Sequence, residues 1–185
     1  MTSILARLRR FAPASLVLAA GIAGASVPAA AADADKILPV PLYPTIEAPL
    51  RACATKAASG LGYTVLKPAT GAKPGKSDFV LVNYIGYLAA TGAVFDQNKA
   101  TPLNLDNVIP GFTEGLQMMP IGSIYRLCIP AALGYGAQAS EAIPANSDLV
   151  FQIELIDSKT MAEVEKMRQE MQAQQAAPAA PGTKR

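Results

Sequence analysis

The stretch from Gly60 to Ile156 most constrains what this chain can fold into. Within it, Tyr63–Lys67, Phe79–Ile85, Ser123–Ile129 and Leu149–Ile156 alternate β-branched or aromatic residues with others and are bounded by glycine and proline. That is the pattern of short, half-buried strands. One segment breaks the rhythm. Pro110 suits the first turn of a helix running to Met119, and Pro120-Ile-Gly122 supplies the stop. Several strands and one short helix in about 97 residues predict an α+β domain with the sheet wrapped on that helix.

The flanks read differently. Arg7, Arg9 and Arg10 precede an apolar run from Phe11 to about Ala25, and small residues including Ala30 and Ala32 follow. This is the layout of a secretory signal peptide over 1–32, with an uncleaved anchor as the alternative; the run is shorter than the ~20 residues a membrane span needs. Cleavage near Asp33 removes three of the 16 basic residues and none of the 14 acidic ones, leaving 13 against 14, a net of −1. The basic balance therefore belongs to the leader, and nothing remains to argue for nucleic acid. Residues 33–59 form an extension holding Pro39, Pro41, Pro44 and Pro49, too proline-rich to stay regular for long, with room for a short helical piece around Leu50–Ala58. Residues 60–157 are the domain. Residues 158–185 are a helix and a Pro/Ala-rich disordered tail. The helix, read from Asp157 to Gln175, carries Met161, Val164, Met167 and Met171 at three- and four-residue spacing. It either docks at the domain edge or offers a stripe for weak dimerisation.

The chain contains no histidine and only two cysteines. That removes histidine-based nucleophilic triads, structural zinc sites and the usual neutral-pH proton carrier. No phosphate-cradling glycine motif is present. The sequence calls for no cofactor and no metal.

Four segments of the middle domain stand out together: Asn83-Tyr-Ile-Gly86; Gly92-Ala-Val-Phe-Asp96; Val108-Ile-Pro-Gly-Phe-Thr-Glu-Gly-Leu-Gln-Met-Met119; and Ile129-Pro-Ala-Ala-Leu-Gly-Tyr-Gly136, followed by Ile143-Pro-Ala-Asn-Ser-Asp-Leu-Val-Phe-Gln-Ile-Glu-Leu155. Each is weak alone. In this order and spacing they resemble the FKBP-type peptidyl-prolyl cis-trans isomerases, the macrolide-binding immunophilins, and in particular an exported, periplasmic bacterial member. The resemblance implies a twisted antiparallel sheet curving over one short helix, Gly111 to Met118, with a pocket between them for proline-containing polypeptides and for macrolide inhibitors. Carried over by position, Tyr84, Phe95, Asp96, Ile109, Phe112 and Tyr135 would be the catalytic set. Val108, Ile143 and Phe151 would complete the substrate-binding walls. Phe112 would be the pocket floor, and the Ile109 N–H and the Tyr135 hydroxyl would donate to a bound carbonyl. The sequence departs from the family where Asn83 replaces a common histidine, where Ala137–Ala142 lacks another, and where Phe112 replaces a frequent tryptophan. The arginine that often pairs with the pocket aspartate is also missing; Lys99 is the nearby cation. Taken singly, the same aromatics fit plain core packing, Asp96 fits a turn, and Glu114 and Glu154 fit surface or structural roles.

The chemistry suits these residue types. Rotation about an amide is opposed by ~18–20 kcal/mol of resonance, yet no bond breaks and no proton moves. A twisted amide carries less charge on its carbonyl than a planar one, so an apolar, aromatic-walled cavity favours it. Fixed donors then orient the carbonyl, which is differential binding of the transition state. About 4 kcal/mol of it is a thousandfold. The expected function is isomerisation of Xaa-Pro bonds in exported proteins. The alternative is a peptide-binding holdase of the same fold with little turnover.

The two cysteines follow from the compartment. If alternation buries Leu127 and Ile129, Cys128 faces outward, where the extension carrying Cys53 could strap across the sheet. An exported chain keeps disulfides, so a Cys53–Cys128 bridge is expected, with two free thiols as the alternative.

Overall fold

The computed structural model describes residues 35–40 and 45–176; the expected leader and tail lie outside the described residues. Six antiparallel strands make one sheet in the order β1-β2-β5-β6-β3-β4. They are β1 (Thr55–Lys56), β2 (Gly62–Lys67), β3 (Phe79–Leu88), β4 (Val94–Asn104), β5 (Ile124–Ile129) and β6 (Leu149–Lys159). Helix α1 (Pro110–Met118) lies on the inner face, and α2 (Met161–Ala176) follows β6.

Four strands fall on the segments that alternation predicts. β4 does not, because its middle is polar and exposed and it contains Pro102. It is an edge strand, where a missing N–H is tolerated. Its pairing with β3 slips between Val82 and Tyr84, and Ala100 within the slip has φ +47°. Asn83 bridges the irregularity, accepting from the Ala100 N–H (2.8 Å) and donating to Glu154 on β6 (2.7 Å). Asn83, where the family resemblance leads one to expect histidine, is thus tied into the sheet.

Two other expectations are corrected. Leu50–Ala58 is not helical: a 3-10 turn over Ala48–Arg51 is followed by β1. The Ala54 N–H donates to Thr64 Oγ1 at 2.8 Å, drawing the chain alongside β2. The C-terminal helix begins at Met161 because Asp157–Lys159 extend β6 against Phe79–Leu81. Thr160 and Glu163 close a reciprocal capping box at its start, the Thr160 N–H donating to Glu163 at 2.7 Å and the Glu163 N–H to Thr160 Oγ1 at 3.3 Å.

Helix α1 starts as its sequence dictates. Ile109 takes the extended conformation (φ −59°, ψ 146°) that a following proline imposes, and Pro110 occupies the first turn. Phe112 and Leu116 bury against the sheet. Glycines let the helix approach closely: a Cβ at Gly111 would sit 2.6 Å from Ile129 Cγ2, and one at Gly115 would strike the Leu127 side chain.

The outer face is also covered. Leu38, Ile46 and Leu50 of the extension bury against Ile85, Tyr87 and Val150. Leu38 pairs with Gln152 as if with a strand, donating to Oε1 and accepting from Nε2, each at 2.7 Å. Arg126, fully buried, donates to the carbonyls of Lys36 (3.2 Å) and Ala52 (3.5 Å) and also meets the Tyr87 hydroxyl. Cys53 and Cys128 are joined by a disulfide, with their Cα atoms 6.1 Å apart.

Candidate functional site

Between α1 and the inner face of β3, β4 and β6 lies an open cavity of about 210 Å³. Strand alternation supplies its walls. Tyr84 on β3 and Phe151 on β6 point inward, while their neighbours Ile85 and Val150 pack outward. Phe95 and Asp96 come from β4, Val108 and Ile109 from the lead into the helix, and Phe112 from its first turn. Tyr135 follows the 3-10 turn Ala131–Leu133 and is 44% exposed at the rim.

The rings form one edge-to-face set. Phe112 meets Phe151 at 5.1 Å between centroids and Tyr84 at 6.4 Å, and Phe95 meets Phe151 at 5.5 Å. Such geometry places the positive edge of one ring on the negative face of the next. Gly86, directly across from Phe151 in the β3–β6 pairing, makes room for it. A Cβ there would come within 2.6 Å of the Phe151 ring and 2.9 Å of the Phe95 ring.

Asp96 is held without an arginine. The Tyr84 hydroxyl donates to Asp96 Oδ2 at 2.7 Å. Burial, and then that hydrogen bond and the charge of Asp96, push the Tyr84 phenol well above its ordinary value, so it stays a donor. Two donors are unspent. Neither the Ile109 N–H nor the Tyr135 hydroxyl has an acceptor among the described residues. Both border the cavity.

Eight of the nine pocket residues expected from sequence line this cavity. Ile143 does not. It is buried in the inner core and lines an adjoining recess with Tyr135, Gln138, Ala139 and Ser140, because the loop folds its Ser140 back on Ile143 through bonds of 2.8 and 3.1 Å. Leu103 and Asn107 line the cavity as well and were not expected. Leu103 lies on the unpredicted strand β4, and Asn107 in the turn before α1; no local pattern marks either. Glu114 accepts from Ser59 at 2.6 Å, away from the cavity. No cluster of residues suited to holding a metal ion occurs among the described residues, and no helix among them is long and apolar enough to cross a membrane.

Comparison with known proteins gives concordant results. The sequence model of FKBP-type peptidyl-prolyl cis-trans isomerases matches residues 70–156. A curated relative, the FKBP-type peptidyl-prolyl cis-trans isomerase FkpA of Aeromonas hydrophila, is 45% identical over 102 residues, 53% of this chain and 38% of that protein. The outer membrane protein MIP of Legionella longbeachae is 45% identical over 109 residues, 56% of this chain and 46% of that one. The chain thus spans less than half the length of these relatives. Among solved structures, a peptidyl-prolyl cis-trans isomerase from Pseudomonas syringae pv. tomato superposes with a TM-score of 0.55 at 42% identity, covering 57% of this chain and 80% of that one. FkpA of Escherichia coli gives 0.55 at 41%, covering 57% and 51%.

Proposed function

The chain belongs to the FKBP-type peptidyl-prolyl cis-trans isomerase family, and from that premise we propose that the cavity on its inner face isomerises Xaa-Pro bonds of exported polypeptides. The carrying observation is the pairing of an aromatic cage with unspent donors. Tyr84, Phe95, Phe112 and Phe151 enclose an apolar space, and the Ile109 N–H and Tyr135 hydroxyl stand at its border.

In this reading the prolyl ring sits on Phe112 between Phe95 and Phe151, where it leaves water. The planar amide, with its larger dipole, loses more on that transfer than the twisted one, so the barrier falls. The Ile109 N–H holds a substrate carbonyl in place without moving during the reaction. Tyr135, half exposed, can follow the peptide. Asp96 does not act as a base. Tied to Tyr84, it fixes the cavity wall, and rotation about the bond needs no proton transfer. Macrolides would occupy the same cavity, with Phe112 offering a ring face but no indole N–H. Residues 60–157 would be the working domain, and α2, its Met161, Met167 and Met171 exposed, would leave the chain a monomer or a weak dimer.

Export is supported by the leader-like sequence of residues 1–32, by the Cys53–Cys128 bridge, which suits an oxidising compartment, and by the similarity to the Legionella relative, named an outer membrane protein. A protease-coupled Xaa-Pro tetrapeptide assay with a panel of residues before proline tests the activity. Acceleration at micromolar protein that is lost in a Phe112→Ala/Tyr135→Phe variant is expected. No acceleration for any peptide overturns the reading and leaves a binding module.

A further inference from the structure

The outer face carries a feature the proposed activity does not use. A second cavity, of about 240 Å³, opens beside the disulfide and is lined by Cys53 and Cys128 together with Arg51, Lys56 and Asp148. Both cysteines are only partly buried. The Asp148 carboxylate accepts from the Ala131 N–H at 2.8 Å, and the two cations outnumber it. The cavity is therefore open to a small thiol and, on balance, attractive to an anionic one, since local positive charge favours the approaching thiolate.

The bridge also sits at one end of a strap. Among the described residues of the extension, Leu38 and residues 45–53 are held by separate contacts: the Leu38–Gln152 pair, the Ile46 N–H donating to the Gly92 carbonyl at 2.9 Å, and the Tyr87 hydroxyl donating to the Leu50 carbonyl at 2.6 Å. Arg51 in turn donates to the Ala90 carbonyl at 2.6 Å. All of these lie on the face opposite the aromatic cavity. Every one but the disulfide is non-covalent, so the extension can come away in a sub-global opening while the strands stay paired.

We propose that the Cys53–Cys128 bridge is a thiol-reducible latch: reduced through the cavity lined by Arg51 and Lys56, it frees the strap and uncovers the apolar outer face of the folded domain. A dithiol's thiolate attacks one cysteine sulfur, the Cys53–Cys128 bond breaks, and the other cysteine leaves as a thiolate and takes up a proton. The dithiol's second thiol then attacks its own sulfur in the mixed disulfide and expels the cysteine first attacked, which leaves as a thiolate and takes up a proton. Two cysteine thiols form and the reductant is oxidised to its own disulfide.

The inference does not depend on the isomerase reading, and its test uses no activity. The full chain is treated with dithiothreitol in native buffer and quenched with an alkylating agent, and the labelled thiols are counted by mass spectrometry. The reduction rate is expected to rise in proportion to dithiothreitol, with the far-ultraviolet circular dichroism of the sheet kept. Trypsin cleavage after Arg51 is expected to accelerate at least tenfold. Negatively charged glutathione should reduce the bridge faster in the native chain than in an Arg51→Ala/Lys56→Ala variant. A rate independent of reductant concentration, loss of the dichroism together with reduction, or unchanged trypsin cleavage of the reduced chain each overturns the latch. In the first two cases the bridge yields only when the whole domain unfolds.

Discussion

The two faces of the sheet are built from the same strands and solve different problems. On the inner face, Tyr84, Phe151 and Phe112 pack around space left open, and the polar groups that matter are those with no partner. On the outer face, Ile85, Tyr87 and Val150 pack under a strap, and polar groups as large as Arg126 are buried and bonded. A binding site keeps its donors free at the cost of some packing. A structural face spends most of its donors, because an unpaired buried polar group costs about 1–3 kcal/mol; among the described residues of the strap, Arg51 Nε is the exception. The contrast predicts that inner-face changes move activity and stability together, whereas outer-face changes move stability alone.

The largest expected effect is Phe112→Ala. The ring is 4% exposed and central to the aromatic set, so unfolding in urea should show a loss of ~3–5 kcal/mol, with kcat/KM down at least a hundredfold. Leu50→Ala, under the strap and equally buried, should lose ~2–5 kcal/mol by the same measure, with kcat/KM unchanged within twofold. If activity falls as far as for Phe112, the faces are not separable.

Tyr84→Phe should be intermediate. It removes the bond to Asp96, and bonds to charged groups contribute ~1.5–3 kcal/mol; a roughly tenfold fall in kcat/KM is expected. With no histidine in the chain and the Tyr84 phenol held above its ordinary value, wild-type kcat/KM should be flat from about pH 6 to 9. A bell-shaped profile would show that a proton transfer had been missed.

Tyr87→Phe is a smaller, pH-dependent change. Burial pushes the Tyr87 phenol from 10.0 up to about 12. The unfolded chain releases this proton first, so the stabilisation is complete below pH 10 and lost as pH rises toward 12. Urea midpoints should fall over that window, less steeply in the variant. At neutral pH the variant should lose ~0.5–1.5 kcal/mol with the Leu50 bond. Least of all, Met171→Ala on exposed α2 should stay within ~0.5 kcal/mol, and an unchanged sedimentation coefficient would argue against dimerisation through this helix.

The inner face was largely legible in advance. Its strands alternate cleanly, its helix is bracketed by Pro110 and Pro120, and its pocket residues lie within recognisable motifs. β4 was missed because an edge strand with a polar centre and a bulge at Ala100 leaves no period to read. Ile143 was misplaced because the fold of its loop depends on Ser140 rather than on the strand beyond. The role of Asp96 stood open while only Lys99 was in view; its partner, Tyr84, lies on the neighbouring strand.

By itself the sequence determined an α+β sheet over one helix, the aromatic set for a cavity, and chemistry that needs no histidine. The sheet and helix follow from short-range alternation and proline and glycine punctuation, the histidine-free chemistry from residue type, and the aromatic set from the resemblance of four ordered motifs to a known family. Only the tertiary structure decided that Arg126 and Gln152 are interior residues, that the extension covers the outer face, and that the Ile109 N–H and Tyr135 hydroxyl are left free at the cavity. Each of these depends on a partner, or on the absence of one, brought close by the fold: Lys36 lies 90 residues from Arg126 and Leu38 lies 114 from Gln152. Local pattern carries no information about pairings at that range.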